Sequence, residues 1–454
     1  MSRAGRLNLT TLLFYAAPAL PLALPTIPAF VLLPTFYAKT VGLGLSATGA
    51  ALLISRIFDV ISDPAIGVFS DRWQTRFGRR KPWMLVGGLV AGIGMLRLFN
   101  PPEHPGALYL LIWSAMLYLG WSMVSVAYTA WGAELSENYH ERTRITGVRE
   151  GTSIVGILLA GTVPLIVSAR GGGDREGMFA VALCAVVVGA ITIALALWRV
   201  PERTIEVSAR PKPALLDGIR SLFTEGPCLR LLTAWSINGL SAGLSASLLP
   251  LYLDQRLKAG QVASAALILI YFASAVAAVP LWVWLSRYGK HRAWCGAMAI
   301  ACLTFAWVPF LGEGQIYLFG VICVICGAAV GADLALPPAI QADVVDYDEW
   351  KSGQRRAGLF FALWGMATKL SLAIAVGVAF PALAYLGFNA VGPNSDLALN
   401  AVAFAYGGVP VIFKLIVIAL MWNFPIGERR QTAIRRRLDR RAHLAGDGPQ
   451  RRQT

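Results

Sequence analysis

Arg56-Ile-Phe-Asp59-Val-Ile-Ser-Asp63-Pro64 sits in the middle of an apolar run from about residue 44 to residue 70. Two carboxylates four residues apart fall on one face of a helix, one turn from each other. Pro64 has no N–H to give the carbonyl four residues back, so Val60 keeps a free backbone oxygen beside them. A run this long can cross a bilayer, which takes about 20 residues. Ionisable groups inside such a run are costly unless they are paired or hydrated, which makes them functional candidates.

Outward from this stretch the pattern repeats. The 454 residues are 56% hydrophobic and 14% charged, with mean hydropathy +0.59. A soluble domain carries about a quarter charged residues. The apolar runs are continuous rather than alternating, so they read as helices and not barrel strands. Spans are expected at about 9–36, 44–70, 82–99, 107–135, 145–168 and 177–199, then 228–253, 261–285, 292–311, 314–341, 357–387 and 400–424. The first is too long for a signal core. The fold class is therefore an all-α membrane protein of twelve transmembrane helices in two pseudo-symmetric six-helix bundles. The expected division is 1–200, a first bundle; 201–226, a cytoplasmic central loop; 227–424, a second bundle; and 425–454, a basic cytoplasmic tail. An internal echo supports two related halves: Gly67-Val-Phe-Ser-Asp-Arg72 and Leu281-Trp-Val-Trp-Leu-Ser-Arg287 each follow the second span of their half.

The net charge of +15 raises nucleic acid as a partner, but the basic residues collect in the links on one side of the spans. Arg72, Arg76, Arg79, Arg80 and Lys81, then Arg142, Arg144 and Arg149, then Lys290, Arg292, Arg355 and Arg356 lie on that side. The opposite links are poorer: they hold Lys39, then Arg170 and Arg175, then Arg256 and Lys258, while 101–106, 312–315 and 389–397 hold no Lys or Arg. The bias places both termini in the cytoplasm and the protein in a plasma membrane, bacterial inner membrane being the expectation. The Arg-rich tail from Gly427 reads as a helix on anionic headgroups. No nucleic acid is expected as a partner; the expected partners are a small-molecule solute and the bilayer, and the expected state is a monomer.

Asp59 and Asp63 have two chemical readings. Hard carboxylate oxygens suit Na⁺; a close, buried pair of acids also suits a proton. Lys369, in Met366-Ala-Thr-Lys369-Leu-Ser371, and Asp333, beside Pro337-Pro338, fall at the same depth, roughly 15–20 Å from the cytoplasmic end at 1.5 Å per residue. That predicts one hydrated central site; a structural ion pair between the halves is the plainer alternative. Pro337-Pro338 is expected to interrupt its helix beside Asp333. Pro18, Pro21, Pro25, Pro28 and Pro34 make span one a cavity-lining candidate. Tyr128, Trp131 and Trp364 could stack on a sugar face. Gly239/Gly243 and Gly327/Gly331 have the spacing of close helix contacts.

Enzyme chemistry is not supported. Gly171-Gly172-Gly173 lacks the Gly-Lys-Ser/Thr of a phosphate loop. Four dispersed His make no metal site. The six Cys, including Cys323-Val-Ile-Cys326, read as small buried hydrophobes. No cofactor is implied beyond the coupling ion, H⁺ or Na⁺.

Taken with Ala133-Glu134-Leu135, Glu141-Arg142-Thr143-Arg144, Arg149, Ala342-Asp343-Val-Val-Asp346-Tyr347 and Phe424-Pro-Ile-Gly-Glu-Arg429, the stretch from Arg56 to Trp83 resembles the glycoside–pentoside–hexuronide:cation symporters of the major facilitator superfamily. The resemblance implies alternating access by two six-helix bundles around a midplane site. Asp59 and Asp63 match the family's helix-two cation aspartates, Lys369 its helix-eleven lysine, and Arg149 its helix-five sugar-contacting arginine. Ala23 stands where a sugar-binding aspartate is usual. Ser125 replaces a helix-four aspartate of the cation site, and Thr129 a stacking tryptophan. Asp333 would compensate the lost charge. The implied sets are Asp59, Asp63, Lys369 and Ser125 for the cation, and Arg149, Asp333, Tyr128, Trp364 and Thr129 for the solute. Asp71, Arg72, Glu134, Arg142, Asp343 and Asp346 would gate the cytoplasmic side. The implied function is cation-coupled symport of a small polar solute, a sugar or glycoside. An amphipathic lipid carrier or exporter on the same scaffold, and a non-transporting scaffold, are the alternatives.

Overall fold

The computed structural model describes residues 7–72, 75, 77–136, 139–202, 226–353 and 357–446. The side chains of Asp71, Arg72 and Arg142, and nearly all of the central link, lie outside the described residues. Among those described, thirteen helical rods follow in order. They are α1 (Leu9–Thr40), α2 (Leu45–Arg72), α3 (Lys81–Phe99), α4 (Ala107–Glu134), α5 (Tyr139–Ala169) and α6 (Asp174–Arg199). Then come α7 (Gly226–Gln255), α8 (Gln261–Leu285), α9 (Lys290–Phe305), α10 (Ile316–Ser352), α11 (Ala357–Tyr385), α12 (Asp396–Met421) and the basic α13 (Glu428–Gly446).

Eleven of these are long and apolar enough to cross a membrane. The twelfth expected span, α7, falls short on composition. It buries Asn238, Ser241 and Ser247 against protein, so its polar groups are shielded from lipid. In α1 the prolines withdraw hydrogen-bond donors and the backbone adapts with π-helical turns at Pro28–Leu32 and Phe36–Thr40. The rod stays whole and central: 67% of its apolar window is buried, against 17% for α5. Pro337 and Pro338 do not interrupt α10, which runs unbroken for 37 residues. The long helix holds them in register from both sides, so two missing donors cost bonds without breaking the rod.

The packing is pseudo-twofold. Helix α3 packs on α4 and α6, as α9 packs on α10 and α12; α1 packs on α5 and α6, as α7 packs on α11 and α12. Between the halves, α2 lies on α11 and α5 on α8, two contacts that the same twofold exchanges. Small residues allow the close approaches inside the second half: a Cβ on Gly239 would lie 2.8 Å from Ser371, and one on Gly327 would overlap the Tyr271 carbonyl.

Among the described residues the halves meet from the middle toward one end only. At the end away from the basic links, a Cβ on Gly377 would lie 2.7 Å from Leu53, and Lys39 of α1 pairs with Asp254 of α7 at 2.6 Å. Toward the basic end the corresponding faces are open. Gly67, one turn beyond Asp63, and Gly365, one turn before Lys369, have no neighbour within 4 Å of a Cβ position. The ion pairs described there stay within one half: Arg79 and Arg80 with Glu134, Lys290 with Asp343, and Arg435 with Asp346. The expected gating acids Glu134, Asp343 and Asp346 each meet a basic residue of their own half in this conformation, with the basic end open.

Candidate functional site

The face of α2 that carries Arg56, Asp59 and Asp63 looks across the interface between the halves. Asp59 is 1% exposed. Its Oδ1 accepts from Ser122 Oγ of α4 at 2.9 Å and from Lys369 Nζ of α11 at 3.0 Å. Its Oδ2 lies 3.4 Å from Arg56 Nη1. Lys369 Nζ also donates to Asp63 Oδ2 at 2.6 Å and to Ser122 Oγ at 3.1 Å. One ammonium from the second half thus sits between two carboxylates of the first.

Arg56 is held by stacking. Its guanidinium lies 3.5 Å from the ring centre of Tyr118 and 4.4 Å from that of Phe30, so rings of α4 and α1 fix the charge where it faces Asp59. Two carboxylates, one guanidinium and one ammonium sum to zero. The balance leaves little room for a further charge unless Lys369 leaves or a proton is exchanged. Asp63 Oδ1 is buried and meets no hydrogen-bond partner. An unpaired buried carboxylate oxygen is an acceptor waiting for a proton or a cation. Asp59, Asp63 and Ser122 together offer the hard oxygens an alkali cation takes. Among the described residues there is no group of three His, Cys, Asp or Glu placed to hold a metal ion.

The other expected site residues divide. Ser125 has no described contact with the carboxylates; the α4 hydroxyl that reaches them is that of Ser122, one turn earlier. Asp333 does not join them. It accepts from Trp294 Nε1 at 2.5 Å and lies 3.8 Å from Lys414 Nζ, which donates to Asn238 at 3.0 Å. This second polar cluster belongs wholly to the second half. Equal depth did not imply a shared face, and Lys414 took the role expected of Lys369. Tyr128 is 3% exposed and spends its hydroxyl on the Tyr15 carbonyl at 2.7 Å, tying α4 to α1. That leaves it packed rather than presented to a solute. Arg149 pairs with Glu150 at 2.6 Å, and Thr129 is exposed. Trp364 stacks on Trp235, centroids 4.3 Å apart and planes at 17°. Trp235 Nε1 donates to Thr368 at 2.7 Å, beside Lys369. The pair packs against the core of the second half, joining α7 to α11.

Sequence reasoning missed Ser122, Arg56, Tyr118 and Phe30. Arg56 could have been found, since it lies one turn before Asp59; the others carry no local signal.

The model of the family described as MFS/sugar transport protein matches residues 14–428. A symporter of Synechocystis sp. is 27% identical, over 96% of this chain and 98% of its own length. The isoprimeverose transporter of Lactiplantibacillus pentosus is 24% identical, over 85% and 82%. Among solved structures, a D-xylose-proton symporter superimposes with a TM-score of 0.66 at 16% identity, over 91% of this chain and 97% of that one, a likeness of fold alone. With a twelve-helix pseudo-twofold architecture and a match over nearly its whole length, the chain belongs to the MFS/sugar transport protein family, integral membrane transporters and not enzymes.

Proposed function

We propose that the chain carries a small polar solute, a sugar or glycoside, across the membrane together with H⁺ or Na⁺, by alternating access. The observation that carries this reading is Lys369 Nζ of one half lodged between Asp59 and Asp63 of the other. The ammonium stands where a coupling cation would sit. A cation or proton taken up by these carboxylates competes with Lys369 and cuts an ionic tie between α2 and α11. The two conformations then differ in ion affinity, and that difference is the coupling. Relatives named as a symporter and as an isoprimeverose transporter support the reaction class and the sugar-like cargo.

The Lys/Arg bias puts the open end and both termini on the cytoplasmic side, so the state described is inward-facing, in a plasma or bacterial inner membrane. We assign 1–200 and 227–424 as the two moving bodies, with 201–226 joining them and 425–454 as the tail.

The test is uptake of labelled sugars into proteoliposomes under an imposed Na⁺ or proton gradient. Accumulation above the bath concentration is expected for the wild type, and Asp59→Asn should equilibrate solute without accumulating it. Undiminished accumulation by Asp59→Asn removes this carboxylate from the coupling. Movement of a lipid-like cargo without any sugar decides for the other cargo class.

A further inference from the structure

Inside the first half, the spanning helices α3 and α6 leave a crevice of about 320 Å³, floored by α1 and α4. Gly88 and Gly92 lie one turn apart on α3, and Gly189 lines the crevice from α6, so side chains are missing where these rods border it. A Cβ on Gly92 would meet only the methyls of Val186, at 3.7 and 3.9 Å. The rim faces outward. Leu85, Leu89 and Ile93 of α3 are 52%, 61% and 50% exposed, and Ala190 and Ala194 of α6 are exposed as well. On spanning helices such a surface meets hydrocarbon. Half-buried Leu22 of α1 and Trp121 of α4 belong to the floor. No lining residue is ionisable and none carries a hydroxyl. The counterparts of these four helices in the second half, α7, α9, α10 and α12, are instead joined by Asn238, Trp294, Asp333 and Lys414.

We propose that this crevice is a lateral binding site for one acyl chain of a bilayer phospholipid. Three observations select that occupant. The lining side chains offer a polar ligand nothing but the Trp121 indole, so close packing of hydrocarbon is the favourable contact left. The mouth is continuous with the lipid-facing surface of α3 and α6, so a chain enters sideways without crossing water. All the lining residues belong to the first half. A movement of one half against the other therefore neither opens nor closes the crevice, which suits a resident lipid and not a transported one; this last point rests on the transport reading above, the first two do not. The floor backs onto the ion-paired cluster. The Trp121 ring lies 6.3 Å from that of Phe30, and Phe30 stacks on the Arg56 that faces Asp59. A chain seated on Trp121 packs behind that aromatic support and fills a void whose walls would otherwise lack contacts.

The probe is a phosphatidylethanolamine with a diazirine at the middle of one acyl chain, mixed into vesicles of phosphatidylethanolamine and phosphatidylglycerol that hold the full-length chain. Irradiation, digestion and mass spectrometry map the adducts. Any surrounding lipid labels an exposed position such as Leu303 of α9, 74% exposed; a chain inside the crevice also labels Leu22 and Trp121. Adducts on these two floor residues are expected in the wild type. Gly92→Phe sets a ring in the crevice and should cut the floor adducts at least about fivefold while leaving those on Leu303 unchanged. Wild-type adducts confined to the rim and to Leu303 overturn the proposal, and so do floor adducts that persist undiminished in Gly92→Phe. Should Gly92→Phe not fold, Ala190→Phe narrows the mouth from the exposed rim and gives the same comparison. The labelling needs no uptake. Missing floor adducts therefore leave the transport reading standing, and floor adducts without any sugar uptake overturn that reading alone.

Discussion

Lys369 has a charge to match and a helix to carry it away, which is what separates it from an ordinary structural lysine. Without it, Asp59 and Asp63 face a single guanidinium, and one negative charge goes unmatched in a region where Asp59 is 1% exposed. On the coupling proposed above, Lys369→Met should cut accumulation of solute by at least about tenfold, because the variant has no ammonium to compete with the ion for the two carboxylates. It should also make stability depend on the ion. A ligand at 100 times its Kd adds about 2.7 kcal/mol, so the melting temperature of the variant should rise with added Na⁺ if Na⁺ couples, or on acidification if H⁺ does. A melting temperature indifferent to both would remove the carboxylate pair as the ion site. Much of this cluster is legible in the sequence. The spacing of Asp59 and Asp63 sets their common face, and a lysine inside an apolar run demands a carboxylate. The identity of Lys369's partner is another matter. Asp333 and Asp59 were equally deep, and only the rotation of α10 about its axis, set by packing on α8 and α9, turns Asp333 toward Lys414.

Elements were readable from apolar runs, but not every feature within them. The prolines of α1 do mark a distorted, central helix, whereas Pro337-Pro338 suggested a break that α10 does not have. A proline withdraws donors wherever it falls; whether the helix breaks depends on neighbours that the sequence does not show. The start of α3 depends on a distant residue in the same way. Glu202, just past α6, accepts from the backbone N–H of Arg79 at 2.6 Å and of Arg80 at 2.7 Å. A carboxylate there matches both the unpaired amides and the positive end of the helix. Glu202→Ala should lower stability by about 1–2 kcal/mol, read as a fall in melting temperature. Gly78 makes the approach possible. Its φ is +105°, and a Cβ would overlap Glu202 Oε2. Gly78→Ala should be at least as costly, since it adds backbone strain to the displaced carboxylate. If Gly78→Ala is destabilising in the wild type and equally so on a Glu202→Ala background, the steric part of this argument fails.

For the whole molecule, duplication and twelve spans follow from sequence, while the conformation does not. One sequence must support two packings of nearly equal free energy, and nothing in a list of residues says which is lower. In the state described, the halves are tied at the closed end by contacts that the opposite state must break. Lys39–Asp254 is the ionic one, with side chains 31% and 34% exposed. A pair this solvated contributes about 0.5–1 kcal/mol, a twofold to fivefold change in the ratio of the two states. Because α5 and α8 meet at the closed end and part toward the basic end, spin labels at Gly147→Cys and Ser286→Cys report that ratio as a long and a short distance. Five of the six native cysteines are buried, so a Cys184→Ser background leaves the introduced pair as the accessible one. Lys39→Asp and Asp254→Lys, each alone, set like charges face to face and should move population from the long distance to the short one by at least that factor. The two together restore opposite charges and should return the wild-type ratio. If the double variant stays shifted, the closed end is held by its apolar packing around Leu53, Gly377 and Phe380 rather than by the ion pair, and the energy separating the two states lies there instead.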